Sequence, residues 1–324
     1  MTDLQQRLCN LLQRGLPVCT RPFEEIAARL GCTEQQVLEH TRDLVQAGVV
    51  RRIGPVVNGR ALGRTSTLVA ARVPARSLRE VVDVVNGLPG VSHNYLRDHP
   101  TNLWFTLQGR GLDEIQGVLG GLRDQLGVEF HSLPARRVFK LEVFFDATGQ
   151  ERPCAEPPLP PCARAVDMTG REWAVLSGLQ KGLRIEPRPW DGLGEGAVSI
   201  IEALVRKGVV RRIAAVVDHR RLGFTANGLF VAEVHEDRIA AAGRGLAVHP
   251  WVTHCYQRGS FPGWPYTLYA MIHGRSAHEI RSLAQDAGRS HGLDQVLLLE
   301  TLQEFKKRPV TYTPDTQTGP GGPP

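Results

Sequence analysis

Gly48-Val49-Val50-Arg51-Arg52-Ile53 returns as Gly208-Val209-Val210-Arg211-Arg212-Ile213, 160 positions on (48 to 208). Leu62-Gly63 and Leu222-Gly223 keep the same offset, and His93-x-Tyr95-x-Arg97 returns as His254-x-Tyr256-x-Arg258 at 161 (93 to 254). Ordered matches at a near-constant offset mark an internal duplication, so the chain divides into two related halves. In the first half Gly48 ends a helical stretch. The valine-rich run behind it, with a return through Asn58-Gly59, reads as a two-stranded wing.

Upstream of the first wing, Leu4, Leu8, Leu11 and Leu12 fall at three- and four-residue spacings, and Phe23, Ile26, Ala27 and Leu30 repeat the pattern. Thr33 stands at an N-cap position with Gln36 as its capping-box partner, opening a third helix through Val37, Leu38, Leu44 and Val45. Three short helices and a wing make a winged helix-turn-helix. Downstream, the pattern predicts a strand over 67–73, a helix over 77–86, strands over 91–97 and 102–107, a helix over 112–126 and one or more strands over 129–143. The second half repeats that order from 228 to 305. This βαββαβ order predicts an antiparallel sheet with helices on one face and the other face free for a partner or ligand.

The expected class is α+β, a tandem repeat of a winged helix-turn-helix and a ferredoxin-like βαββαβ domain. The expected boundaries are 1–64 and 65–145 for the first pair, 146–166 for a Pro-rich linker, 167–224 and 225–310 for the second pair, and 311–324 for a disordered tail. The second helical unit is shortened. Gln180-Lys181-Gly182-Leu183 matches Gln13-Arg14-Gly15-Leu16 at an offset of 167 (13 to 180), against 160 for the wings, so seven residues are missing between Trp190 and Val209.

With 324 residues, 42% apolar and 22% charged, the chain can bury several cores without a metal or disulfide staple. It opens MTDLQQRL, with no secretory pattern, and contains no run of about 18 apolar residues, so the cytoplasm is the expected compartment and no membrane the expected partner. The six cysteines lack zinc-site spacing, and no dedicated metal site is expected. The formal charge of +6 favours an anionic partner.

Duplex DNA does not suit the rest of the pattern. The third helix carries Glu34, Glu39 and Asp43 against Arg42 alone, where a recognition helix presents basic and amide groups, and its counterpart is shortened. No nucleic acid is therefore expected. The basic charge sits in the wings instead. Arg51-Arg52 and Arg211-Arg212, followed by Arg60, Arg64, Arg220 and Arg221, offer guanidinium forks suited to carboxylates or phosphates.

The chemistry-bearing residues lie on predicted strands. His93, Tyr95 and Arg97 share one strand face, as do His254, Tyr256 and Arg258. Asn102 and Trp104 share a face of the next strand, and Tyr269 corresponds to Trp104 in the second half. A histidine titrating near neutrality suits general acid work or metal ligation. His131, His219, His235, His249, His273 and His291 are each weak candidates alone. The second cluster differs through Cys255, Gln257 and a longer loop with Phe261, Trp264 and Tyr266, which could cover a flat ligand or pack between domains.

The wing motif, the run Ser92-His93-Asn94-Tyr95-Leu96-Arg97 followed by Asn102-Leu103-Trp104-Phe105, and the pairs Phe139-Lys140 and Phe305-Lys306 resemble the siroheme decarboxylases, a branch of the Lrp/AsnC-like proteins. The resemblance covers about residues 3–144 and 168–308, and the tandem arrangement resembles the fused D and L subunits of haem d1 biosynthesis. It implies loss of carbon dioxide from the C12 and C18 acetates of siroheme, giving 12,18-didecarboxysiroheme without oxidation or any cofactor beyond the iron-containing substrate. It implies catalytic roles for His93, Arg97, His254 and Arg258, with Tyr95 and Tyr256 as orienting groups or substitute donors. Substrate contacts are expected from Arg51, Arg52, Arg211, Arg212, Asn102, Trp104, Tyr269, Lys140 and Lys306. His93 or His254 could instead ligate the siroheme iron. One productive pocket is expected where the sheets face each other, in a pseudo-heterodimer within one chain that could associate further as a homodimer. A transcription regulator and a non-catalytic haem or siroheme binder are the alternative readings.

Overall fold

The computed structural model describes residues 1–150, 165–293 and 295–314; the prolines of the expected linker, at 153–161, lie outside them. The first half opens with α1 (Asp3–Arg14), α2 (Pro22–Leu30) and α3 (Glu34–Gln46). Thr2 and Thr33 close capping boxes with Gln5 and Gln36, satisfying the first free N–H groups of α1 and α3. Then come β1 (Val50–Val57), β2 (Thr65–Ala71), α4 (Leu78–Gly87), β3 (Val91–Arg97), β4 (Leu103–Gly109), α5 (Leu112–Leu126) and β5 (Phe130–Leu141). The second half runs α6 (Gly170–Gln180), α7 (Ala197–Arg206), β6 (Val210–Val217), β7 (Ala226–Ala232), α8 (Glu236–Ala247), β8 (Val252–Arg258), β9 (Leu268–Gly274), α9 (Ala277–Ser290) and β10 (Val296–Lys307). Where the first half has α2, the second has a 3-10 turn over Asp191–Leu193. The missing residues thus remove the middle helix and also trim the start of the third, which has 13 residues in α3 and 10 in α7.

The expected hairpin wings do not form. β1 pairs antiparallel with β6 of the other half, and the return through Asn58-Gly59 instead leads into a 3-10 turn over Gly59–Leu62. The reason is register: each wing strand has a complementary copy 160 residues away, and pairing the copies buries Val50, Ile53, Val210 and Ile213 under helices of both halves. Leu16 pairs with Ile213, and the Leu183 N–H donates to Ile53 O, so each helical unit is stitched to the other half's wing.

The eight remaining strands close into an antiparallel barrel in the order β10-β3-β4-β2-β5-β8-β9-β7. The long strands join the halves: β5 pairs with β2 through residues 130–134 and with β8 through 135–141, while β10 pairs with β7 and β3. The helices lie outside over two separate apolar cores, one built on Val81, Phe105 and Ile115, the other on Phe230, Ile239 and Ile280. The sheet faces expected to be free are therefore turned inward, against each other. Opposite strands β3 and β8 run parallel, so the barrel axis is a pseudo-two-fold relating the halves.

The end away from the wings is closed. Trp264, in the longer loop, packs on Trp104 at 5.2 Å between ring centroids and donates to the Tyr269 hydroxyl at 2.8 Å; Phe261 stacks on His131 at 4.0 Å. The aromatic loop is thus a barrel plug. Residues 311–314 belong to the ordered structure, against the expected tail boundary: Tyr312 exchanges backbone hydrogen bonds with the Gln180 side chain and donates its hydroxyl to Gln108. No helix among the described residues is long and apolar enough to cross a membrane.

Candidate active site

Alternation along β3 sends Asn94 outward to Asn86 of α4, and along β8 sends Cys255 and Gln257 outward to α8, where they meet Gly243 O and Glu236. His93, Tyr95 and Arg97 therefore point into the barrel from one wall, and His254, Tyr256 and Arg258 from the opposite wall. A β-bulge precedes each histidine, placing a hydroxyl beside its ring. Ser92 Oγ lies 2.8 Å from His93 Nδ1 and Thr253 Oγ1 lies 3.0 Å from His254 Nδ1. Among the described residues, Nε2 of neither ring has a protein partner, so both remain available to a ligand.

Burial, with the Lys307 charge second, pushes His93 down to about 4. Burial does the same to His254, helped by His93, Arg258, Lys140 and Arg211. Both rings are neutral at pH 7 in the empty protein. Burial raises the phenols of Tyr95 and Tyr256, keeping them protonated.

The arginines are deeper. Arg97 is 3% exposed and donates to Leu299 O at 3.2 Å and Thr301 Oγ1 at 2.7 Å; Arg258 donates to Leu133 O at 2.5 Å. Neither forms an ion pair among the described residues, and Nε of each is buried without an acceptor. Burial lowers Arg97 to about 10. Each guanidinium also lies over its tyrosine, at 5.2 Å for Arg97 and 4.6 Å for Arg258. Two buried cations without carboxylates are costly in an isolated protein and suit one that receives an anion.

The wing arginines divide by position. The charges of Arg51 and Arg220 act on Tyr95, and those of Arg211 and Arg60 on Tyr256, so each triplet is overlooked by one arginine from each half. Arg51 also pairs with Asp218 at 2.9 Å. Arg52 turns back to Gln180 O at the end of α6, and Arg212 packs along Gly15 after α1.

Several expected substrate contacts lie elsewhere. Lys140 donates to His249 O beyond α8, and Lys306 to Asn86 O and Leu88 O at the end of α4, so both ammonium groups cap helices on the outer face. Asn102 holds both the N–H and the carbonyl of Val73. Trp104 and Tyr269 belong to the barrel floor.

Three residues of weak or absent sequence signal come to the site. Lys307 lies opposite His93 in register, and its Nζ is 3.4 Å from His219 Nδ1; His273 lies 3.4 Å from Thr253 Oγ1, and its ring meets His219 edge-on at 5.3 Å. Lys307 could have been found by alternation: once Lys306 faces the helices, its neighbour faces the barrel. Burial holds His219 down to about 4 and His273 well below its ordinary value.

Known proteins share this domain order and fold. Residues 5–51 match the siroheme decarboxylase NirDL-like HTH domain, and residues 61–140 and 221–306 each match the AsnC-like ligand binding domain. The siroheme decarboxylase of Hydrogenobacter thermophilus is 34% identical over 94% of both chains, and the siroheme decarboxylase NirDL subunit of Paracoccus denitrificans 35% identical over 96% of this chain and 98% of its own. A crystal structure of the siroheme decarboxylase NirDL superposes with a TM-score of 0.73 at 32% identity, over 96% of this chain and 94% of that one. Another, in complex with an iron-uroporphyrin III analogue, gives 0.72 at 32% identity, with the same shares covered. With both domain signatures in order and end-to-end similarity to these proteins, the chain belongs to the siroheme decarboxylase family of Lrp/AsnC-like proteins, in its fused form.

Proposed function

We propose that the protein decarboxylates the C12 and C18 acetate side chains of siroheme, giving 12,18-didecarboxysiroheme on the route to haem d1. The observation that carries this reading is the pair of buried, carboxylate-free guanidinium groups of Arg97 and Arg258, each behind a histidine with an unoccupied Nε2 and beneath wing arginines. A substrate with eight carboxylates meets that charge. The solved relative that holds an iron-uroporphyrin III analogue supports a tetrapyrrole as ligand.

Each step is redox-neutral. The bond from methylene to carboxylate breaks, carbon dioxide leaves, the electron pair stays on the methylene conjugated with its pyrrole, and one proton completes a methyl group. His93 or His254 supplies that proton from Nε2, while Ser92 or Thr253 fixes the ring through Nδ1. The empty histidines are neutral. Substrate carboxylates offset the surrounding positive charge and raise their proton affinity, so substrate arrival charges the acid. Arg97 and Arg258 hold carboxylates in line, and Tyr95 and Tyr256 orient them. This chemistry needs no cofactor beyond the substrate, and the halves act as a pseudo-heterodimer because each triplet is overlooked by arginines of both.

The test is anaerobic incubation with iron-loaded siroheme followed by mass analysis of the tetrapyrrole. Loss of the mass of two carbon dioxide molecules is the expected result. Tight binding without loss of mass would make the protein a carrier or sensor; no binding would refute the reading.

A further inference from the structure

The pseudo-two-fold is broken on the strands that face the triplets: Glu304 stands opposite Tyr95, where Val138 stands opposite Tyr256. Opposite His93 in register stands Lys307; opposite His254 stands Leu141. Next to Lys307 is His219, on which Phe145 stacks at 5.2 Å. The residue at the matching position in the first half is Gly59, and there the Tyr312 hydroxyl fills the space a side chain would take. His273 has Gln108 as its counterpart, and Gln108 accepts from that same hydroxyl. One side of the pocket therefore carries Lys307, ion-paired with Glu304 at 3.7 Å, and two imidazoles, while the other presents uncharged side chains at the matching positions.

The hydrogen bonding of His219 adds direction. An ammonium can only donate, so the contact with Lys307 makes His219 Nδ1 the acceptor and leaves the neutral ring with its proton on Nε2. That N–H is buried without an acceptor. Lys307 also holds Glu304 at 3.7 Å, and the Nε2 N–H points away from Nδ1, so the ammonium and the unmet donor suit separate carboxylates of one multiply charged ligand.

Resting on the siroheme reading above, we propose that Lys307 and His219 form a one-sided donor pair for substrate carboxylates. It selects one of the two orientations that a pseudo-two-fold pocket offers to siroheme. The selected orientation decides which acetate meets His93 and which meets His254. Lys307 and His219 act here as specificity-determining residues, outside the bond-breaking step.

The test pairs anaerobic siroheme titration, followed in the Soret band, with product analysis stopped early enough to separate the two monodecarboxylated isomers. In the wild type one isomer predominates. Lys307→Leu, which installs the residue of the other half, raises Kd about tenfold and yields both isomers. Adding Leu141→Lys to that variant moves the preference to the opposite isomer, which a merely structural role for Lys307 would not produce. His219→Phe keeps the ring stacked on Phe145 but removes the N–H; it weakens binding and erodes the preference, and it serves if Lys307→Leu fails to fold. Unchanged Kd and unchanged isomer ratio in both single variants overturn the proposal while leaving the decarboxylase reading intact. A wild type that binds siroheme without converting it sinks the decarboxylase reading, and the Kd comparison then decides the donor pair alone. A wild type that does not bind overturns both.

Discussion

Replacing Arg97 with methionine separates the function of the buried guanidinium from its contribution to stability. Burial lowers Arg97 from 12.5 to about 10, and a shift of that size corresponds to about 3 kcal/mol against the charged form. Because the folded-state value lies below the unfolded one, the native protein carries this cost wherever arginine is protonated in both states, which includes pH 5 to 9. The cost is relieved only as pH rises through about 10. Against it stand the bonds to Leu299 O and Thr301 Oγ1, each contributing about 1.5 kcal/mol from a charged donor. The terms nearly cancel. Arg97→Met is therefore expected to unfold within about 1 kcal/mol of wild type across that pH range, whereas breaking a buried ion pair costs about 3–5 kcal/mol. Siroheme affinity is expected to fall about 10- to 100-fold, the loss of one charge-assisted carboxylate contact. Urea unfolding and anaerobic siroheme titration measure the two quantities on one preparation. A loss of more than about 3 kcal/mol in stability with unchanged affinity would make Arg97 a structural anchor and refute the reasoning.

Three further expectations follow from particular contacts. His254 falls from 6.5 to about 4 on folding, so stability present above pH 6.5 is lost as pH drops towards 4; His254→Asn is expected to reduce the slope of unfolding free energy against pH in that window by about 1.4 kcal/mol per unit, and an unaltered slope would mean the ring is not desolvated. Trp264→Ala opens the barrel floor under Trp104 and should cost about 3–5 kcal/mol in urea unfolding; a cost below about 1 kcal/mol would show that the plug is not packed. A Cβ at position 243 would lie 2.3 Å from the Phe139 ring, so Gly243→Ala should lose about 1–3 kcal/mol by forcing α8 from β5; a neutral substitution would contradict that close approach.

Local pattern made the secondary structure legible. The strand over 91–97 and the helix over 112–126 match β3 and α5, because alternation and helical spacing are properties of short segments. The inward triplets were legible for the same reason: residues two apart on a strand share a face. The outward turn of Lys140 and Lys306 was not, since a bulge in each long strand interrupts the alternation near them. Nor did spacing identify the helix ends whose carbonyls they cap. His219 and His273 escaped because each is isolated in sequence, and only barrel closure brings His273 beside Thr253 and His219 beside Lys307.

The wings and the barrel share one physical cause for differing from the simple reading. A duplicated sequence carries two copies of every pairing surface, and local pattern cannot say whether a strand pairs within its own copy or with the other. β1 resolves this by pairing with β6, and β5 and β10 by each serving both copies along one length. Separated halves would each expose the edges of these strands and the apolar inner face that now holds Trp104, Leu133 and Leu229. The exchange that hides those edges also sets the two triplets opposite one another, and it brings Arg220 to Tyr95 and Arg60 to Tyr256. Closure of the fold and assembly of the site are thus the same event, and a substitution that weakens strand pairing between the halves acts on the site even when it lies far from either histidine.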